Sequence, residues 1–226
     1  MSRENMLLNC LDFPGRYVVR FGPKPSSRVM CTMTLIGTNL FVYGGIKSEL
    51  LKEMWVCRVS NNYEWLNVTN ETAEKDLPNA RYGHTAALFK NEIYFFGGRV
   101  KEDQKPKEDI VFFNTHSYRF HTETCFCKSR LVYRRNHIAH TIGIHMFING
   151  GIDENGNILH DSWLLNYTSF RWEEVLIKPN TKTYPLAHHA STLVVNSDKK
   201  YNLNFNIYQP HEGLGMKSSK KVIILI

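Results

Sequence analysis

Three arginines, Arg28, Arg81 and Arg134, stand fifty-three residues apart, and histidines follow two of them at His84 and His137. More histidines gather at His140, His145 and His188–His189, and two cysteines flank Phe126 in "CFC" (Cys125–Cys127). Among the residue types present, these offer the most chemistry. Arginine grips a carboxylate with two hydrogen bonds from one planar fork. Histidine and cysteine ligate metals, but a zinc site needs three or four ligands converging at about 2 Å. "CFC" has no second cysteine pair and departs from the usual zinc spacings. Histidines recurring at one place in a periodic pattern suit a structural hydrogen bond, so no metal is expected. No glycine-rich loop follows a strand and opens a helix, and no G-x-S-x-G elbow occurs. The acidic pair Glu173–Glu174 sits on an alternating stretch, which sends one carboxylate to solvent. Neither a catalytic residue nor a cofactor is expected.

The whole chain narrows the classes further. It has 226 residues, 42% hydrophobic and 22% charged, an ordinary balance for a folded protein. Aromatics at 12% suit strands better than helices. No apolar run approaches the roughly 18 residues needed to span a bilayer, and the opening "MSRENMLLNCLDFPG" lacks the pattern of a secretory signal. Five scattered cysteines, Cys10, Cys31, Cys57, Cys125 and Cys127, are an odd number and not a disulfide framework. Reduced thiols in the cytosol or nucleus are the expectation, and the sequons at Asn67, Asn70 and Asn166 then carry little meaning. The net charge of +7 suits either an acidic protein partner or nucleic acid. Only "KSSKK" near the end is a dense basic cluster, so nucleic acid is the weaker expectation.

The elements that must position these residues are written three times. "LFVYGG" (Leu40–Gly45), "IYFFGG" (Ile93–Gly98) and "MFINGG" (Met146–Gly151) align without a gap, and each arginine stands sixteen residues ahead of its first glycine. Each copy divides into four short strands. The stretch after the arginine, such as "HTAALF", turns through "KNE" or "GTN" into the run that ends in two glycines, which is hairpin chemistry. That second strand and the third ("MWVCRV", "IVFFN", "SWLLN") are apolar at successive positions, as strands buried on both faces are. The fourth alternates: Tyr63/Trp65, Tyr118/Phe120 and Phe170/Trp172 sandwich Glu64, Arg119 and Arg171, so one face is wet. The glycine pairs Gly44–Gly45, Gly97–Gly98 and Gly150–Gly151 let the chain leave a buried strand where backbones crowd.

This pattern resembles the kelch repeat. "RYGH", the double glycine and the aromatic pair across a polar turn carry the resemblance over residues 24–177, and the period is near the roughly 50 residues of that class. WD40 blades are shorter, and the Trp-Asp dipeptide they carry is absent. The resemblance implies an all-β kelch-type β-propeller with four-stranded blades at about 24–76, 77–129 and 130–177. Residues 178–226 hold a partial fourth repeat. "PLAHHASTLVV" (Pro185–Val195) begins it well, then the glycine pair is lost, although "YNLNFNIY" and "VIILI" still read as strands. Residues 1–23 form an N-terminal segment whose "RYVVRF" (Arg16–Phe21) could close the last blade, as kelch propellers commonly do. A compact four-bladed ring and an open arc, its tail having lost the pattern, both stay open. An open arc would expose edge strands and ought to aggregate, pair with itself or need a partner.

By the same resemblance the work is non-enzymatic protein–protein interaction, as an adaptor or scaffold. Some kelch propellers are enzymes, including a copper-radical oxidase class, but its Tyr/Cys/His ligand set cannot be located here. In kelch substrate adaptors the loop entering the first strand and the loop after the glycines form the binding rim. That places Arg28, Arg81, Arg134 and Arg135 on one face, with Lys24, Lys47, Arg99, Lys101 and Lys105 beside them, ready for an acidic segment of a partner. A ubiquitin-ligase substrate or a cytoskeletal component is the kind of partner implied. The alternative is that each arginine anchors its own turn or pairs with the acid of a neighbouring blade.

Overall fold

A computed structural model describes residues 22–59, 63–101, 110–127, 131–175, 187–188, 190–195, 201–209 and 216–224. The first blade is β1 (Thr32–Ile36), β2 (Asn39–Tyr43), β3 (Met54–Arg58) and β4 (Glu64–Asn67), paired antiparallel in chain order. The second is β5 (Thr85–Phe89), β6 (Glu92–Phe96), β7 (Ile110–Asn114) and β8 (Arg119–Glu123). The third is β10 (Ile138–Ile142), β11 (His145–Asn149), β12 (Ser162–Asn166) and β13 (Arg171–Glu174). A fifth strand joins it: β9 (Phe126–Cys127) runs parallel to β13, with the Phe126 amide donating to the Phe170 carbonyl at 2.9 Å. The Phe126–Cys127 part of "CFC" thus follows the second blade in sequence and caps the outer edge of the third.

The middle strands of the second blade are buried on both faces because its two neighbours use opposite faces of each. Phe41, Tyr43, Met54 and Val56 of the first blade pack against Ile93, Phe95, Val111 and Phe113 of the second. The alternate residues of those same second-blade strands, Tyr94, Phe96, Ile110 and Phe112, pack against Met146, Ile148, Trp163 and Leu165 of the third. Each such side chain contributes about 1.5–3 kcal/mol by leaving water. Outer strands bury one face only: Phe120 and Trp172 are interior, while Arg119, His121, Arg171 and Glu173 are exposed. Two short 3-10 turns (Thr69–Glu71 and Glu74–Asp76) carry the chain from the first blade to the second.

The fourth sheet is three-stranded: β14 (Ala190–Val195), β15 (Tyr201–Gln209) and β16 (Met216–Ile224). Its first pair is aligned as in the other blades, Ala190 opposite Asn206 where Thr85 faces Phe96 and Thr32 faces Tyr43. Ile207 and Tyr208 therefore stand at the glycine-pair positions, and β15 runs straight on for nine residues. The suggested closing strand at Arg16–Phe21 lies outside the described residues.

Candidate functional site

The loops expected to form the rim are held together one blade at a time. Val29 pairs with Ile46, Tyr82 with Arg99 and Arg135 with Ile152, each through two backbone hydrogen bonds of 2.8–3.1 Å. The segment entering each first strand thus lies beside the segment leaving each glycine pair, at the same end of every blade.

Beneath this end the glycines form the joints between blades. The Gly45 amide donates to the Arg81 carbonyl of the next blade, and the Gly98 amide to that of Arg134, both at 2.9 Å. Gly44 has φ +64°, and a Cβ there would sit 2.7 Å from the Arg81 carbonyl oxygen; one on Gly97 would collide with that of Arg134. Only glycine allows so close an approach at that backbone angle. A second ladder runs between sheets: Gly83 donates to Met30 (3.0 Å), Asn136 to Gly83 (2.8 Å) and His188 to Asn136 (3.1 Å). All four residues have positive φ, so the fourth sheet docks by the same local geometry as the regular blades.

The aligned arginines serve these joints rather than the rim. Arg28, Arg81 and Arg134 each send Nη1 to the carbonyl of the first glycine of their own blade, at 3.2, 3.3 and 3.1 Å. Each also donates Nε to the carbonyl two residues earlier, at 3.0, 3.3 and 3.0 Å. The Arg134 fork holds Asp161 with both arms, at 2.6 and 2.8 Å, and Arg28 holds Glu53 at 2.6 Å. Their side chains are 0% and 4% exposed, and Arg81 as a whole residue is 8% exposed. The rim placement of these three is therefore corrected: the guanidinium satisfies a carbonyl left without a ladder partner where the strand ends. The acids belong to the arginine's own blade, not to a neighbouring one as the alternative expected.

Electrostatics follow from that burial. Burial works to raise the Asp161 carboxyl, but the hydrogen bonds and charge of Arg134, with the Trp163 indole, outweigh it and hold the group below its ordinary value. Glu53 is lowered in the same way against burial, by the Trp55 indole and Arg28. Burial pushes the Tyr43 phenol up to about 12, partly offset by Arg81.

The histidines are inter-blade pins. His84 Nε2 shares a hydrogen bond with Thr32 Oγ1 of the preceding blade (3.0 Å), and His137 Nε2 with Thr85 Oγ1 (2.8 Å). Both rings meet aromatics edge-on, His84 with Tyr43 and His137 with Phe96. Burial holds His84 well below its usual value, aided by the charges of Arg81 and His137, so the ring is neutral at pH 7. The Thr–His pairing was missed from sequence, although the spacing of fifty-two between Thr32 and His84, and again between Thr85 and His137, is a signal that could have found it. His140 bonds Ser191 of the fourth sheet at 2.6 Å.

What remains exposed at the rim is Lys24, Lys47, Arg99 and Lys101, with Arg135 half-buried and reaching the Asp153 carbonyl at 3.4 Å. Lys105 lies outside the described residues. Separately, a groove of about 760 Å³ opens between the 69–79 connector and β8, lined by Glu71, Lys75, Asp76, Arg119 and His121 among others. Among the described residues no three His, Cys, Asp or Glu side chains gather as metal ligands. No helix among them is long and apolar enough to cross a membrane.

Sheets joined face to face through glycine pairs define a kelch propeller architecture. Residues 30–203 match the KLHDC2/KLHL20/DRC7 Kelch-repeats domain, and the chain belongs to that family. It is 27% identical over 176 residues to human Kelch domain-containing protein 10, covering 76% of this chain and 39% of that protein. It is 26% identical over 203 residues to Drosophila melanogaster Host cell factor (77% of this chain, 13% of that one). Rice tRNA wybutosine-synthesizing protein 2/3/4 is 37% identical over 76 residues, 33% of this chain and 7% of that protein. The chain thus spans less than half the length of these relatives. Kelch-repeat domains generally mediate protein–protein interaction.

Proposed function

We propose that the chain is a non-enzymatic protein-binding module, an adaptor or scaffold of the cytosol or nucleus, whose rim loops take an acidic segment of a partner. A ubiquitin-ligase substrate or a cytoskeletal component remains the class of partner this reading has in view. The observation that carries it is the exposure of Lys47, Arg99 and Lys101 on paired loops at one end of adjacent blades, with Arg135 on the third. The buried joints fix the backbone of those loops, and a rigid scaffold under variable loops is the arrangement that suits recognition. Exposed lysine and arginine steer an acidic partner in a salt-dependent way. The binding partners of immobilised wild-type chain are to be compared with those of a Lys47→Glu, Arg99→Glu, Lys101→Glu variant that melts at the same temperature. Partners lost from the variant and eluted by moderate salt support the rim; an unchanged set removes it. A second reading, a structural subunit completed by another chain, is favoured by the exposure of Met33 and Leu35 on β1.

A further inference from the structure

The outer strands of the second and third blades are built alike but bordered differently. Phe120 faces Phe113 across β8 and β7 as Trp172 faces Leu165 across β13 and β12, with an arginine, Arg119 or Arg171, one residue before each. Beyond β13 lies β9, part of the connector from the second blade, laid on as a fifth strand. Cys125 and Cys127 are half-buried against the core, and Phe126 between them is 65% exposed. Among the described residues β8 ends its sheet. The connector from the first blade passes beside it but satisfies its own amides in 3-10 turns: Thr72 donates to Thr69 (3.3 Å), Asp76 to Ala73 (2.9 Å) and Leu77 to Glu74 (3.2 Å). Its hydrogen bond to β8 comes from the Thr72 hydroxyl, which accepts from the Phe120 amide at 2.8 Å. The groove of about 760 Å³ thus opens along the strand edge that corresponds to the one β9 covers, with Ala73, Leu77 and Pro78 on one wall and Phe120 and Thr122 on the other.

We propose that this groove takes an extended peptide segment of a partner protein, added to β8 as a parallel strand in the way β9 is added to β13. The Phe120 amide points away from β7, toward Thr72, and in a strand the residue two positions on turns the same way. Thr122, which is exposed, therefore offers its amide and carbonyl to the groove. Unpaired main-chain groups on an end strand are the template for strand addition. β9 supplies the form of the occupant: small apolar residues at alternate positions turn inward, and the residue between them faces solvent. Charge selects little, since Glu71 and Asp76 balance Lys75 and Arg119 along the exposed margin. The volume lies within the range of about 300–1,000 Å³ in which ligand sites fall. The site is on the outer edge of the second blade and not on the rim, so this contact and the rim contact fail separately.

Selection of linear peptides from a displayed random library on the full chain tests the site. Enriched peptides are expected to carry small apolar residues at alternate positions and to bind independently of moderate salt. Thr122→Pro removes the outward amide and leaves the β7 ladder whole, which an end strand tolerates. With a matching melt, this variant should weaken binding about tenfold or more. N-methylation of the peptide backbone should abolish binding in one alternate set of residues and spare it in the other, a reading that stands even if the proline variant melts early. The Lys47→Glu, Arg99→Glu, Lys101→Glu variant keeps full binding. A library that enriches nothing overturns the proposal, as do peptides that bind Thr122→Pro as well as wild type or are lost from the rim variant. A chain that dimerises in sedimentation, its dimer lost with Thr122→Pro, overturns it too, since a second copy then takes the edge.

Discussion

The first three blades and the fourth sheet dock by the same backbone ladder and differ in what lies beside it. In the regular blades an arginine and a glycine pair work as one device: the guanidinium holds the glycine carbonyl, and the glycine leaves room for the next blade. In the fourth repeat both halves are gone together. Leu186 stands at the arginine position and Ile207–Tyr208 at the glycines, and the second strand runs on to Gln209. The two features are physically coupled, because without the strand end there is no freed carbonyl for an arginine to satisfy. A glycine pair thus marks where another blade must follow.

The strongest way to break this comparison is to give a regular joint the fourth sheet's chemistry. Gly97→Val combines a collision with the Arg134 carbonyl and a β-branched residue at φ +69°, and is expected to cost about 3–5 kcal/mol in urea unfolding. A change below about 1 kcal/mol would mean that the joint yields easily. Next, Arg134→Met strands Asp161 beside an unsatisfied Gly150 carbonyl, for an expected loss of about 3 kcal/mol. The double variant Arg134→Met, Asp161→Asn should recover part of that loss, and a double-mutant cycle reads the difference.

A pH series separates the histidine pins from the arginine staples. Folded His84 is depressed, whereas the unfolded chain takes a proton near the ordinary histidine value of about 6.5. Below that pH the unfolded state binds more protons, so stability falls as pH falls. Half-buried His140 is also lowered by burial and adds in the same direction. Asp161 and Glu53 hold their contribution until pH falls to the carboxylate range, so acid unfolding should show an early histidine slope and a later, steeper loss. Melting temperatures for wild type and His84→Gln check this, since the variant should lack part of the early slope. The smallest effect concerns the hairpin turns. Gly37, Lys90 and Gly143 share positive φ, so Lys90→Gly should raise stability by about 0.5–1 kcal/mol in the same unfolding assay.

Much of the fold was legible in the order of residue types. Strands buried on both faces need successive apolar residues, outer strands need alternation, and paired glycines at one interval mark crowded strand ends. These are local requirements, so the sequence alone determined the repeated four-strand pattern of the first three blades and the place where it fails. The direction of the arginines was not legible. A guanidinium at that spacing serves a rim or a staple equally well, and only the position of the Gly44, Gly97 and Gly150 carbonyls decides. The Thr32–His84 and Thr85–His137 pins and the docking of Phe126–Cys127 on β13 likewise join residues through space. The tertiary structure decided these, because packing one blade on the next determines which polar groups lose water and must find each other.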